Sequence, residues 1–309
     1  MAETLRLNRP WLIAVWPGMG GVAQSAGYYL LAKLEMHMIA EYEASDLFDI
    51  DHVEVKDGII QVGRRPRNRF FVWIDPEKKH DLVVFFGEAQ PPLGKYVFCK
   101  KLIDYAKELG IEKVFTFAAM ATQMHPEQRS RVFGAATDQH NLEELKRLEL
   151  EVLEGGQIGG LNGVLLGVAA EAGLPGACLL GEMPQIFSQL PFPKASLAIL
   201  EVFTTITGIT LDFAELAEQA RVMEEQLGEL FSRVQQSIEG QMPQEESEFS
   251  PEPAEEESVS STDRERIEKL FAQAKSDRTK AFELKHVLDR LGAFKEYEDR
   301  FLDLFKKAG

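Results

Sequence analysis

Short apolar runs alternate with amphipathic stretches over roughly the first two hundred residues, and that alternation leaves few folds open. Leu12–Trp16 is one such run; a glycine turn and a helical pattern reaching Leu34 follow it. Phe70–Ile74 and Leu82–Phe86 read as strands, Leu93–Leu109 as a helix and Val114–Phe117 as a buried strand. Leu161–Ala172 reads as a small-residue helix, Ala177–Leu180 as a strand and Ala195–Thr207 as a helix. Strands joined through helices require right-handed crossovers, which lay the strands parallel in one sheet covered on both faces. The expected fold is therefore α/β with a mostly parallel sheet. Between Val53 and Phe71, alternating residues flank Asp57-Gly58, which predicts a β-hairpin inserted into that scheme.

The C-terminal third changes character. Asp212, with Glu215 three residues later, makes a capping-box-like start. Phe213, Leu216, Ala220, Met223, Leu227, Leu230, Val234 and Ile238 then recur at helical spacing. A helix of about 27 residues, about 40 Å long, is expected. Its stripe suits core packing or a helix–helix or subunit contact. Gln241–Thr262 reads QMPQEESEFSPEPAEEESVSST, with seven Glu, three Pro and no Lys or Arg. So few apolar groups cannot offset the entropy of ordering, and a flexible acidic linker is expected. Beyond it, Ile267, Leu270, Phe271 and Ala274 form one stripe and Phe282, Val287, Leu288 and Leu291 another; Phe294, Tyr297, Phe301, Leu304 and Phe305 follow Gly292. The plan is a domain over 1–240, a linker over 241–262 and a small helical module over 263–309.

Charge decides which partners are excluded. Lys and Arg total 34 against 50 Asp and Glu, a net of −16, which argues against a nucleic-acid binder. The excess is local: residues 1–211 contribute −6, 212–239 −5, the linker −7 and the tail +2. The opposite signs of tail and long helix predict that the terminal helices dock on that helix, in the same or a neighbouring subunit. Cys99 and Cys178 lie in apolar surroundings and cannot form a disulfide framework or a four-thiolate metal site. The histidines at 37, 52, 80, 125, 140 and 286 show no metal-ligand spacing, so neither metal nor cofactor is expected. Trp11–Trp16 is too short for a signal-peptide core, and Ala195–Leu211 contains Glu201 and falls short of the roughly 20 residues of a membrane span. A cytoplasmic protein without a membrane partner is expected.

Four segments could carry chemistry. In WPGMGGVAQSAGYYL (Trp16–Leu30), Gly18, Gly20 and Ala23 fit the G-x-G-x-x-G/A pattern, whose amides would face a pyrophosphate, with Glu41 or Glu43 for a ribose. A plain strand-to-helix turn is the other reading of Gly18, Gly20 and Gly21. EGGQIGGLNGVLLGVAAEAG places Gly155, Gly156, Gly159, Gly160, Gly163 and Gly167 across a loop and into a helix. Close packing would offset the helical glycines, while a ligand nest would use Gly159 and Gly160. Glu88 and Glu182 follow apolar runs, where an open parallel sheet borders its crevice; each is either a general base of raised pKa or a structural acceptor. Gln90 belongs to the same crevice. The run Arg64, Arg65, Arg67, Arg69 is a solvated loop or a contact for an anion or acidic partner.

Taken in order, WPGMGGVAQSAGYYL, GEAQPP, RVFGAATD (Arg131–Asp138) and GGQIGGLNGVLLGVAAEAGLPGACLLGEMP (Gly155–Pro184) resemble the proteasome assembly chaperone 2 family over residues 8 to 240. The resemblance implies a three-layer α/β/α sandwich akin to purine nucleoside phosphorylases, and non-enzymatic chaperones that bind proteasome α-subunits and form dimers or larger oligomers. The chain ends Leu304-Phe305-Lys306-Lys307-Ala308-Gly309, without the hydrophobic–tyrosine–any-residue tail through which those chaperones dock. Proteasome docking by that route is not expected. The leading expectation is a non-catalytic, homo-oligomeric assembly module. The alternative is a nucleotide- or nucleoside-binding protein or enzyme using the crevice near Gly18–Gly21, Glu88 and Glu182.

Overall fold

The computed structural model describes residues 6–42, 44–50, 53–56, 58–148, 150–239 and 260–306. Most of the expected linker, together with Glu43, His52, Asp57 and the last three residues, lies outside the described residues.

Eight strands form one sheet: β1 (Trp11–Val15), β2 (His37–Glu41), β5 (Asn68–Trp73), β6 (Leu82–Gly87), β7 (Lys113–Thr122), β8 (Val132–Ala136), β9 (Glu151–Val152) and β10 (Gly176–Pro184). Their order is β2-β5-β6-β1-β7-β10-β8-β9. The four central strands, β6, β1, β7 and β10, run parallel. The antiparallel pairs lie outside them, β10 with β8, β5 with β6 and β2 with β5.

The reason β1 reads as an unbroken apolar run is that both of its faces are buried. Trp11, Ile13 and Val15 join the core under α1 (Val22–Lys33) and α5 (Pro193–Thr207), while Leu12 and Ala14 join the opposite core under α2 (Lys95–Glu108) and α4 (Gly160–Glu171). These two cores make the three layers. A short helix, α3 (Gln139–Leu145), is capped by Asp138, which accepts from Asn141 N. β3 (Val53–Lys56) and β4 (Ile59–Val62) pair as a separate two-stranded sheet, so the expected hairpin is confined to 53–62 and β5 belongs to the main sheet.

The long helix is present as α6 (Ala214–Glu239); Asp212 Oδ1 accepts from Ala214 N at 2.9 Å, while Glu215 pairs with Lys33 at 2.9 Å in place of the reciprocal half of a capping box. It packs along α5. The terminal helices α7 (Ser261–Ser276), α8 (Ala281–Arg290) and α9 (Phe294–Asp303) pack elsewhere, which corrects the charge-based expectation. They lie on α1 and the free edge of β2. The Phe282 ring meets Tyr29 edge-on at 4.6 Å, and Phe294 and Phe301 meet Tyr28 at 5.1 and 5.5 Å. Met38 N donates to the Phe305 carbonyl at 2.7 Å, beside the edge strand. Exposed ion pairs contribute well under 1 kcal/mol each, whereas a buried aromatic contributes about 1.5–3 kcal/mol, so apolar burial selects the docking site.

Candidate functional site

At the carboxyl ends of the parallel strands, where an α/β sheet places a ligand crevice, the predicted residues fall into three separate groups. The first is held together by Gln90. Its Nε2 donates to the Pro17 carbonyl at 3.1 Å, and its Oε1 accepts from Leu161 N at 3.1 Å. Gln90 thus clamps the loop after β1 to the first turn of α4, bringing Gly18 and Gly160 to one edge. It also occupies an amide at the helix N-terminus that a ligand nest would offer. The glycines after β1 are likewise committed. Gly20 N donates to the Ser188 carbonyl at 2.9 Å and Gly21 N to the Gly18 carbonyl at 3.0 Å. Gly20 has φ +61°, and a Cβ there would sit 2.8 Å from Met183 Sδ. Its requirement for glycine comes from that turn and from Met183, and the Gly20 and Gly21 amides already have partners.

The second group surrounds Glu182. It lies inside β10 rather than after it, with 2% of its surface exposed. Arg131 Nε and Nη2 donate to its two carboxylate oxygens at 2.7 and 2.6 Å, and Thr122 Oγ1 donates at 2.8 Å. The Arg131 hydrogen bonds hold its carboxyl below the usual range, with Thr122 acting in the same direction and burial opposing both. A general base of raised pKa is therefore not what Glu182 is; it is an ionised acceptor already engaged by three donors.

The third group surrounds Glu88. Its Oε2 accepts from Arg64 Nη1 at 2.6 Å and Arg67 N at 2.9 Å, and its Oε1 from Arg69 Nη1 at 2.6 Å. Arg69 is fully buried between Glu88 and Asp299 of α9. Asp299 also pairs with Arg64 and Arg67, and Arg67 makes a two-pronged contact to Glu41. The arginine run is thus not a solvated loop: it receives an acidic segment, and that segment is the chain's own α9. Burial would raise Asp299, but the arginines outweigh it and hold its carboxyl low. Next to it, burial pushes Glu298 up, and Tyr28 Oη donates to it at 2.8 Å. The signal missed in the sequence was the Glu298-Asp299 pair, readable as the counter-charge only once α9 is placed.

Glu88 follows β6 and Glu182 lies in β10, with β1 and β7 between those strands. Three strand spacings separate the carboxylates by about 14 Å. That is wider than the roughly 5–9.5 Å over which paired carboxylates share acid–base work. Between α6 and the ends of β7 and β10 lies a hollow of about 340 Å³, lined by Thr122, Gln123, Met124, Gln185, Ile186 and Phe231. A larger cleft, about 580 Å³, opens beside β8 and α5 and carries Arg129, Arg131 and Arg147 with Glu151 and Glu201. Among the described residues no cluster of three or more His, Cys, Asp or Glu could hold a metal ion, and no helix is long and apolar enough to cross a membrane. Cys99 and Cys178 are buried and unpaired, and burial pushes both thiols up to about 12.

In this α/β/α body the two carboxylates singled out in the sequence, Glu88 and Glu182, are both engaged by arginine. Residues 12–231 match the PAC2 family, and the chain belongs to that family. It is 29% identical over 224 residues to the uncharacterized protein MJ1210 of Methanocaldococcus jannaschii, covering 71% of this chain and 82% of that one. The fold is similar to Pyrococcus furiosus PbaB, an archaeal proteasome activator, with a TM-score of 0.63, 27% identity, and coverage of 74% of this chain and 96% of that one. It is also similar to Pyrococcus furiosus PbaA, an archaeal homolog of proteasome-assembly chaperone, with a TM-score of 0.57, 25% identity, and coverage of 76% and 97%. Helices α7–α9 lie beyond the family match.

Proposed function

We propose that this chain is a non-catalytic, assembly-chaperone-like protein that self-associates and binds other protein subunits in the cytoplasm. One observation carries this reading: the strand-end edge presents apolar side chains to solvent where an enzyme would present free polar groups. Met19 after β1, Ile186 and Leu190 after β10, and Leu230 on α6 are all exposed. Exposed apolar patches of this kind mark protein-interaction surfaces. The carboxylates an enzyme would use are neutralised in place, as described above. The likeness to an archaeal proteasome activator and to a proteasome-assembly chaperone homolog makes proteasome α-subunits the first partners to try, met through this edge. We read α7–α9 as a helical module tethered through the acidic segment 241–262. The buried free cysteines suit a reducing compartment.

The test mixes the purified full chain with free α-subunits of the proteasome from the same organism, followed by native mass spectrometry. A defined complex that weakens when Ile186→Asp is introduced is expected. Absence of any complex, together with a thermal shift of several degrees by nucleotides or nucleosides that disappears in Glu182→Ala, would replace this reading with a small-molecule one.

A further inference from the structure

The large sheet ends in β9 on one side and β2 on the other. β9 is two residues long, too short to template another strand, whereas β2 runs for five residues without Pro or Lys. Its register to β5 shifts between Met38 and Ala40, so the regular part of this edge is His37–Met38. The chain's own ending lies there. Met38 N donates to the Phe305 carbonyl at 2.7 Å, and Met38 and Lys306 form a parallel bridge. The Phe305 ring meets that of Phe71, the residue paired with Met38 on β5, at 6.1 Å.

Two arginine contacts fasten this ending, one at each end of β2. Before the strand, Arg278 Nη1 donates to the Glu35 and Met36 carbonyls, both at 3.4 Å, and its Nη2 donates to the Lys306 carbonyl at 3.2 Å. One guanidinium thus ties the start of the edge strand to the segment lying on it. At the far end, Arg67 holds Glu41, the last residue of β2, and Asp299 of α9 at 3.1 Å. The family match ends at residue 231, so these helices are an addition to the body. We propose that α7–α9 is an autoinhibitory cover: residues 305–306 occupy the β2 edge in cis and keep it from adding an extended strand of another chain. An open edge pairs its main-chain groups with any extended backbone, so closing it requires that those groups be taken, as the Met38 amide is. The cover does not depend on the self-association proposed above, because it concerns what the terminal helices prevent.

Hydrogen exchange and light scattering on the full chain test it. In the wild type the Met38 amide should exchange at least about tenfold more slowly than the amides of the exposed loop 154–157. Arg278→Ala combined with Asp299→Ala should remove that protection while β1 and β7 keep theirs. With only this protein present, the strand available to the opened edge is that of a second copy, so the mass of the double variant should rise above the wild-type value with concentration. Adding Met38→Pro deletes the outward donor, which an edge strand tolerates, and should return the mass to the wild-type value. A wild-type Met38 amide that exchanges as fast as the loop overturns the cover, whether or not the double variant folds. Protection that survives both substitutions overturns it as well, since the arginines then fasten nothing. So does a loss of protection without a gain in mass, or a gain that Met38→Pro leaves in place: the contact is then packing alone, or assembly uses another surface.

Discussion

Glu182 and Arg131 differ sharply in exposure, and that difference sets what each substitution does. Arg131 is 53% exposed at its side chain, so when Glu182 is lost the guanidinium returns to water at little cost. Glu182→Gln keeps an acceptor for Thr122 and should lose about 1 kcal/mol. Glu182→Ala leaves Thr122 Oγ1 without its acceptor and should lose about 2–3 kcal/mol, or roughly 5 °C in melting temperature. The pH dependence follows from the lowered carboxyl. The folded state holds fewer protons at this site than the unfolded chain, whose Glu titrates near about 4.3. The contribution is therefore complete above that value and is lost as pH falls through the lower folded one. Melting curves of wild type and Glu182→Gln should converge in acid and separate towards neutrality. A gap that stays constant over the whole range would remove the ion pair as its source.

Helix α4 shows at the element level why two glycines of one motif have opposite uses. A Cβ at Gly163 would stand 2.0 Å from the Ile158 carbonyl oxygen, whereas at Gly167 it would meet nothing within 4 Å. Gly163→Ala should therefore destabilise by about 2–3 kcal/mol, while Gly167→Ala should stabilise by up to about 1 kcal/mol. Thermal melts of the two variants check the sign of each. In the sequence both are simply glycines in a helix, because spacing carries no information about what lies opposite. Strands were legible on the same terms. β1, β6, β7 and β10 are buried on both faces and stand out as apolar runs. β2 and β8 carry no such signal: His-Met-Ile-Ala-Glu lies at a half-buried edge, and Val-Phe-Gly-Ala-Ala is short and interrupted by glycine. Position alone set Glu88 after its strand, as found, and set Glu182 after one too, whereas it lies inside β10. Their partners could not be read this way, since Arg69 and Arg131 are brought to them by strand pairing and turns, not by local spacing.

The whole molecule depends on what α7–α9 cover, because their apolar residues belong to the same core as α1 and β6. Tyr28, Phe71 and Phe86 are buried, and Phe294, Phe301 and Phe305 contact Tyr28 or Phe71 from the terminal helices. A chain ending at Glu239 would open that surface, leave Arg69 with Glu88 as its remaining acid partner and strip Tyr28 of Glu298. Exposing several aromatics at about 1.5–3 kcal/mol each amounts to several kcal/mol, or about 10 °C or more in melting temperature. Asp299→Ala separates the ionic part from the apolar part. It removes an acceptor shared by Arg64, Arg67 and Arg69 but keeps the aromatic contacts, so the loss should be about 2 kcal/mol. Scanning calorimetry of the full chain, Asp299→Ala and the truncation should therefore rank them in that order of stability. A truncated chain that melts with the full one would mean the terminal helices ride on the body without supporting it. A loss from Asp299→Ala as large as the truncation's would mean that the arginine cluster, rather than the aromatic face, fixes the terminal helices to the body.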